Sequence, residues 1–190
     1  VCGFGALSSA RVLEVLASLA SKSLVAMQED AGLPRYRLLE TIREYAAERR
    51  AAHDAEPELG ERHALFFERF LHQRRDEVVL ARAHRLQELD LEHGNILAAL
   101  AWSAAHQRGD DVGLAMVWSL QWYWYHRQLW REGLAQSELA LISSVAPCAA
   151  HRAAGLHGMG VFGLHVMNPK AEEWLAQAEQ AWIAAGEERW

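Results

Sequence analysis

The sequence predicts a mainly α-helical protein that starts with a helix, a β-hairpin and a second helix and continues as α-helical hairpins. Within residues 9–21 the apolar residues recur at helical spacing, at Val12, Leu16 and Leu19. Residues 23–28 and 35–39 are short segments, and the loop between them contains the Gly and Pro typical of a turn, which predicts a β-hairpin. From Glu40 onward helical spacing dominates the sequence.

The composition is that of a globular protein without a membrane span. Hydrophobic residues make up 51% of the 190 residues and charged residues 23%, and the net charge is −6. No apolar run approaches the roughly 18 residues that a membrane helix needs, and the first residues lack the basic segment of a signal peptide. Cys2 and Cys148 are too few and too far apart for a disulfide framework. We therefore expect a cytoplasmic protein.

Residues 1–52 have the order of the C-terminal half of a winged helix, and we interpret them as a partial winged-helix domain of a longer protein. Residues 9–21 occupy the place of the recognition helix in DNA-binding winged helices. A DNA reader needs several phosphate contacts and side chains that reach base edges. This helix offers only Arg11 and Glu14, with Lys22 just beyond it. We favour a structural role, with DNA binding as an alternative.

Three stretches of the sequence resemble one protein family. They are Leu19-Ala20-Ser21-Lys22-Ser23-Leu24-Val25, Arg35-Tyr36-Arg37-Leu38-Leu39-Glu40-Thr41-Ile42-Arg43-Glu44-Tyr45-Ala46 and Leu89-Asp90-Leu91-Glu92-His93-Gly94-Asn95-Ile96-Leu97-Ala98-Ala99-Leu100. The first two resemble the winged-helix segment of bacterial NB-ARC-type (STAND) signal-transduction ATPases, many of which are LuxR-type transcriptional regulators. The third resembles the helix that opens their tetratricopeptide-like arm. The resemblance covers most of the chain in the family's order.

The resemblance implies a nucleotide-binding domain ahead of this segment, where ATP or ADP would bind, and no cofactor in the segment itself. Where the hairpin meets the next helix, eukaryotic relatives carry Met-His-Asp, whose His contacts ADP. Here Leu38, Leu39 and Glu40 stand at those positions. Because Leu39 replaces the His, we expect no phosphate contact. Leu39, Glu40 and Arg43 are expected to contact the nucleotide-binding domain of the same polypeptide.

The helix at 40–52 and the helix that follows it each show an apolar stripe. In the first, the stripe is predicted to be buried and consists of Ile42, Tyr45, Ala46 and Arg49. The polar break at 53–57 marks a domain boundary, and residues 53–108 form a connecting helical segment. Within it, a helix at 58–73 has one apolar face, with His63 as a packing residue: Leu59, Phe66, Phe67, Phe70 and Leu71.

A long helix, or two nearly collinear ones, is predicted for residues 80–107. Its apolar positions recur at steps of three and four, with a bend expected at Gly94: Leu86, Leu89, His93, Ile96, Leu100 and Ala104. His84, Glu88 and Glu92 share another face of this helix. We interpret them as a solvated face, because three ligands spread along a straight helix span too far to close on one metal ion.

Residues 109–190 are predicted to form helical repeats of the tetratricopeptide-like solenoid type that continue beyond the chain. A turn with a helix cap at 109–111 precedes a helix that reaches His126 and should be central to the fold. Small or apolar residues recur at the spacing of close helix packing, at Gly133, Ser137 and Ala140, and again 38 residues later at Ala171, Leu175 and Ala178. We predict helix pairs at about 110–145 and 148–187.

The sequence contains no group of residues that it brings together for catalysis. Residues 158–163 match Gly-x-Gly-x-x-Gly, but the preceding residues read as helix, so helix packing explains these glycines better than a dinucleotide site. Cys148 and His151 lack the two further ligands of a zinc site. We therefore predict no enzyme activity and no metal site in this segment.

Recognition is the function that the aromatic residues suggest. Trp118, Trp122, Trp124 and Trp130 belong either to the core or to a concave surface that binds a partner, with Arg127 and Arg131 within reach. The leading hypothesis is a non-catalytic sensor and autoinhibitory segment of an ATP-controlled transcriptional regulator, which binds a protein or small-molecule signal. The alternatives are a DNA-binding winged helix and a free-standing repeat scaffold for protein interaction.

Overall fold

The computed structural model describes residues 8–30, 33–51, 56–106 and 111–186. The chain separates into two compact units, Val1–Arg62 and His63–Trp190, here called unit 1 and unit 2. The division falls inside a helix, Glu56–His72. The three-segment division expected from the sequence stays a prediction. Among the described residues, no helix has both the length and the apolar character needed to cross a membrane.

Unit 1 contains a helix, a β-hairpin and a helix in the predicted order. Helix α1 (Ser9–Ser21) begins after Ser8, whose hydroxyl oxygen accepts a hydrogen bond from the amide of Arg11 at 3.3 Å. Strands β1 (Val25–Asp30) and β2 (Leu33–Leu38) pair in antiparallel register. Helix α2 spans Glu40–Ala51. The predicted element order of this region is confirmed.

One face of the hairpin is apolar and only partly covered. Val25 pairs with Leu38 and Met27 pairs with Tyr36, and because alternate residues of a strand share a face, these four side chains lie together. Val25 is buried, whereas Leu38, Met27 and Tyr36 are exposed. The outer end of this face therefore presents apolar side chains to its surroundings.

The buried stripe predicted for α2 is wrong in part. Ile42 is half-buried, but Tyr45, Ala46 and Arg49 are exposed, and the guanidinium of Arg49 lies 5.9 Å from the centre of the Tyr45 ring. Helical spacing fixes which residues share a face, but burial also requires a second surface against that face.

Unit 2 is built from packed helices. They are α3 (Glu56–His72), α4 (Arg75–Val79), α5 (Ala83–His106), α6 (Val112–His126), α7 (Trp130–Ser143), α8 (Ala149–His165) and α9 (Ala171–Ala184). Helix α6 packs against α7 and α8, and α8 packs against α7 and α9. The two predicted helix pairs are confirmed. No helix was predicted for α4, which follows Arg74 in a charged stretch of the sequence.

Helix α6 is the centre of the core, as predicted. Its buried residues belong to the same cluster as buried side chains of α3, α4, α5 and α8. On α5, the predicted face is confirmed by the burial of Leu86, Leu89, Ile96 and Leu100. On α3, the rings of Phe66, Phe67 and Phe70 are in contact, as the predicted apolar face requires. Phe67 is buried and Phe66 is 47% exposed, because adjacent helical residues point about 100° apart and only one of them faces the core.

The two helix pairs turn in the same way. Gln128 follows α6 and Met167 follows α8, and both have the left-handed backbone conformation, with φ of 56° and 55°. In each turn the next amide bonds back over the helix end, from Leu129 to Trp124 and from Asn168 to Gly163, as in a Schellman motif. The same turn follows α1 at Ser23 and α4 at Ala81, so it is a recurring helix ending in this chain.

An ion network covers the predicted solvated face of α5. Glu88 accepts hydrogen bonds from Arg74 at 2.8 Å and from Arg85 at 2.9 Å, and His84 contacts Glu77 at 3.1 Å. The bond from Arg74 lowers the pKa of Glu88, against the opposing effect of burial, and Arg85 lowers it further. These groups serve as charge partners of one another along this face.

The glycines of α8 allow close packing, as the sequence predicted. Residues 158–163 lie inside α8, and Gly158, Gly160 and Gly163 are all buried. A Cβ added at Gly158 would lie 2.6 Å from the hydroxyl oxygen of Ser137, and one at Gly160 would lie 2.5 Å from Leu175. The helix therefore approaches α7 and α9 more closely than any larger residue would permit.

Asp111 joins the beginning of α6 to the beginning of α8. It precedes α6, but its carboxylate makes no capping bond there, so the helix cap predicted at 109–111 is wrong at Asp111. The carboxylate instead accepts hydrogen bonds from Ser144 (2.8 Å), the Cys148 amide (2.9 Å) and His151 (3.2 Å). Burial works against the charged form, but these bonds hold the pKa of Asp111 below its usual value. Residues 109 and 110 lie outside the described residues.

A buried polar contact connects α6 to α8. The side-chain amide nitrogen of Gln121 donates to the carbonyl oxygen of Ala154 at 2.6 Å, and its oxygen accepts from His157 Nδ1 at 2.8 Å. Burial lowers the pKa of His157, because desolvation disfavours the charged imidazolium. The neutral ring is the form that this part of the core accommodates.

We predict that Gly133→Ala destabilises the protein although alanine favours helices. The added Cβ would lie 2.6 Å from the buried ring of Phe162, and such overpacking costs about 1–3 kcal/mol. Gly94→Ala is the matched control, since no atom lies within 4 Å of its Cβ, and it should stabilise by roughly 0.5–1 kcal/mol. Urea denaturation of both variants measures the difference. Equal effects of the two substitutions would contradict the packing described.

We also predict a pH dependence of stability that originates at His157. Because its folded-state pKa is lowered, the unfolded state binds more protons, and stability falls as pH drops below about 6.5. His157→Asn keeps a donor for Gln121 but does not titrate. Its free energy of unfolding should therefore vary less between pH 7.5 and pH 5 than that of the wild type. The other histidines contribute equally to both proteins, so parallel profiles would refute the assignment.

Candidate functional site: an aromatic surface of unit 2

The aromatic residues predicted for recognition separate into buried and exposed groups. Trp124 is 1% exposed, and Trp122 is 41% exposed. Trp118 and Trp130 are half-buried. Two turns of the same helix, α6, thus supply both core and surface.

Trp124 serves the core. Its indole nitrogen donates a hydrogen bond to Glu132 Oε1 at 2.8 Å, and the same oxygen accepts one from His93 Nε2 at 2.7 Å. Its ring meets Phe162 edge-on, with the ring centres 6.0 Å apart. Trp124 therefore links α5, α6, α7 and α8 rather than facing a ligand.

Trp118 and Arg127 are engaged within unit 2. The guanidinium of Arg75 lies 4.4 Å from the centre of the Trp118 ring, and Trp182 packs on that ring at 5.2 Å. Arg127 Nε donates to Asp90 at 3.0 Å, and Tyr123 donates to the same carboxylate oxygen at 3.1 Å. Burial, with the negative charge of Asp90, raises the pKa of Tyr123. These contacts hold α6 to its neighbours.

Three exposed rings and one half-buried ring form a continuous surface, which we call the aromatic ladder and define as Trp122, Tyr125, Trp130 and His165. The ring centres of Trp122 and Tyr125 are 5.6 Å apart, those of Tyr125 and Trp130 5.3 Å, and those of Trp130 and His165 4.0 Å. The residues come from the end of α6, the start of α7 and the end of α8. The ladder therefore spans both helix pairs.

Neighbouring contacts restrict the rings of the ladder. His165 Nδ1 donates to the carbonyl oxygen of Val161 at 2.9 Å, and the imidazole stacks on Trp130 with 22° between the planes. Tyr125 meets both of these rings edge-on. Rings held in this way lose little conformational entropy when a partner binds.

An open depression lies beside the ladder. It is lined by Gln128, Leu129, Trp130, Arg131, Glu132, His165, Val166 and Met167. Met167 is 89% exposed and occupies the left-handed turn after α8, while Arg131 is exposed on α7. The depression combines apolar, aromatic and cationic side chains, which is the mixture found at protein-binding hot spots.

Sequence reasoning did not place Tyr125, His165 or Met167 in the site. Tyr125 lies three residues after Trp122, a spacing that places both on one face of a helix, so it could have been included. His165 and Met167 join only because α8 packs beside α6 and α7. No local pattern signals that contact.

The residues predicted for an interdomain contact are exposed in unit 1. Leu39 stands between β2 and α2 and is exposed. Glu40 and Arg43 form a salt bridge at 2.5 Å, with about two thirds of each side chain accessible. Such a pair stabilises little by itself, because water screens it. All three side chains are accessible to a partner surface.

The chain is similar to part of three mycobacterial proteins. Over 124 residues, or 65% of this chain, it is 32% identical to proteins named "Putative HTH-type transcriptional regulator", namely Rv0890c and MT0914 of Mycobacterium tuberculosis and Mb0914c of Mycobacterium bovis. The matched region is 14% of the length of each relative. No protein-family profile matches the chain, and no solved structure matches it. The similarity is to one region of large regulators.

We predict that Trp124 and Trp122 differ sharply in their contribution to stability. Trp124→Phe removes a buried ring segment and the donor to Glu132, and should destabilise by about 2–4 kcal/mol. Trp122→Phe keeps an exposed aromatic ring and should change stability by less than about 0.5 kcal/mol. Guanidinium denaturation followed by circular dichroism measures both. A large loss for Trp122→Phe would remove it from the exposed group.

Proposed function

We propose that this chain is a non-catalytic regulatory segment of a large, nucleotide-controlled transcriptional regulator of the NB-ARC (STAND) type. The proposal rests on the 32% identity over 124 residues to proteins named as putative HTH-type transcriptional regulators, in which the matched region is 14% of the length. In this proposal, unit 1 is a partial winged helix that takes part in autoinhibition. Unit 2 is a tetratricopeptide-like arm that recognises a protein or small-molecule signal. ATP or ADP binds elsewhere in the parent protein, which is cytoplasmic.

The aromatic ladder supports the recognition role. Its four rings are in mutual contact, Trp122 and Tyr125 are exposed, and Arg131 supplies a nearby positive charge. Trp, Tyr and Arg are the residues enriched at binding hot spots. Trp130 joins them, whereas Trp118, Trp124 and Arg127 support the surface from within unit 2.

The hairpin of unit 1 supports the autoinhibitory role. Its apolar face ends in exposed Met27 and Tyr36, and Leu39 is exposed at the following junction. Adjacent exposed apolar side chains are typical of surfaces that a second domain covers. The proposed cover is the nucleotide-binding domain of the same polypeptide, with Glu40 and Arg43 at the edge of the contact.

A DNA-binding role has less support. Arg11 is the single cation within α1 and pairs with Glu14 at 2.7 Å, which lowers its availability to phosphate. Lys22 is the C-cap residue that follows α1. The proposal therefore assigns no DNA contact to α1.

The first test uses the native gene product that contains this segment. We expect an intact mass several hundred residues larger, an upstream Gly-x-x-x-x-Gly-Lys-Ser/Thr, and binding of a fluorescent ATP analogue that the isolated segment lacks. In the host, a Trp122→Ala/Trp130→Ala double variant should change the transcript profile several-fold toward that of a gene deletion or a constitutively active form. Phe66→Ala, which alters an exposed ring outside the ladder, is the matched control.

Three outcomes would contradict the proposal. A native product without nucleotide binding removes the switch and leaves a repeat scaffold. A ladder variant with the wild-type transcript profile removes the recognition role. Binding of the segment to duplex DNA at low salt, lost in Arg11→Ala and Lys22→Ala, would establish the DNA-binding alternative instead.

A further inference from the structure

We propose that Asp111, Cys148 and His151 form a binding site for a zinc-type transition-metal ion. Each residue offers one ligand atom, and the three atoms all lie within 4.8 Å of one another. The residues come from two places far apart in the sequence, the start of α6 and the start of α8. Sequence reasoning found only the Cys148 and His151 pair and predicted no metal site, because nothing local connects Asp111 to it.

One of the three ligand-atom distances is already that of a tetrahedral site. Zinc binds oxygen and nitrogen at about 2.0–2.2 Å and sulfur at about 2.3 Å, so neighbouring ligand atoms of a tetrahedral site lie about 3.2–3.7 Å apart. Asp111 Oδ2 and His151 Nδ1 are 3.2 Å apart. The sulfur of Cys148 lies within 4.8 Å of both atoms and accepts a hydrogen bond from the His151 amide at 3.5 Å, so it must come closer by about an ångström at most. Because Cys148 is exposed, a rotation of its side chain can supply this approach in exchange for that long bond.

The donor set selects the metal class. A thiolate, an imidazole and one carboxylate suit Zn²⁺ and Co²⁺, whereas Mg²⁺ and Ca²⁺ require oxygen ligands and usually six or more of them. Among the described residues this group supplies three ligands. A water molecule would complete the tetrahedron, as it does in zinc sites with three protein ligands.

The carboxylate is held in place by groups that do not compete with the metal. The Asp111 side chain is 7% exposed, Ser144 donates to its Oδ1, and the Cys148 amide donates to its Oδ2. Such outer bonds fix the orientation of metal-binding carboxylates and raise affinity. Cys148 also stands at the beginning of a 17-residue helix, where an anionic ligand is favoured.

The hydrogen bond between His151 and Asp111 competes with metal binding. In this hydrogen bond, the proton on His151 Nδ1 lies where the ion would bind. Metal binding to the neutral ring moves this proton to Nε2, and the thiol loses its proton to solvent, so one proton is released for each ion bound. Affinity should therefore fall as the pH is lowered. If Asp111 served only as a structural cap at the start of α8, its bonds to Ser144 and to the Cys148 amide would be sufficient.

The test is a titration of the full chain with Co²⁺, followed by competition with Zn²⁺. The protein carries no histidine tag, and Cys2→Ser makes Cys148 its sole thiol. We expect a thiolate-to-cobalt charge-transfer band in the near ultraviolet, visible bands typical of tetrahedral cobalt, loss of both on adding Zn²⁺, and a thermal midpoint that rises with Zn²⁺ concentration.

Variants separate a metal site from a cap. Cys148→Ser should abolish the charge-transfer band, and His151→Gln and Asp111→Asn should weaken Co²⁺ binding at least tenfold. Asp111→Asn keeps an oxygen acceptor for Ser144 and the Cys148 amide, and circular dichroism confirms that each variant is folded. His72→Gln, an exposed histidine at the end of α3, is the control and should bind as the parent does. The absence of the charge-transfer band, or equal binding by all variants, would overturn the proposal.

Discussion

The close approach of α8 to its neighbours is the constraint on which unit 2 depends. Glycines stand where α8 meets α7 and α9, and Gly133 of α7 stands against the Phe162 ring. Because no Cβ separates these surfaces, the ends of α7 and α8 come together, and Trp130 stacks on His165 at 4.0 Å. The geometry of the aromatic ladder thus depends on backbone packing some distance away. A larger residue in that packing would separate rings that it does not touch.

Two carboxylates fix part of the aromatic helix α6 in the core. Glu132 accepts hydrogen bonds from Trp124 and His93, and Asp90 accepts hydrogen bonds from Tyr123 and Arg127. These contacts join helices that are far apart in the sequence. Trp122 and Tyr125 lie on the exposed side of α6. Helix α6 therefore contributes side chains both to the core and to the candidate site.

Periodicity predicted the elements well, but it predicted their partners poorly. The order of helix, hairpin and helix, the central position of α6 and the packing role of the α8 glycines all followed from local patterns. Tyr45 was assigned to a buried stripe and is exposed, because a pattern does not say whether a second surface exists. Asp111 was assigned to α6 and serves α8, because its partners lie 33 or more residues away. Within the site, Trp122 and Trp124 look alike in the sequence, and only the tertiary contacts distinguish them.

The aromatic ladder lies across the joint between two helix pairs that end their first helices with the same left-handed turn. Tyr125 and Trp130 belong to the first pair and His165 to the second. A ligand that contacts both sides of this joint keeps all of its contacts only while the two pairs hold the relative position that the ladder requires. Its binding would therefore restrict the angle between the two helix pairs.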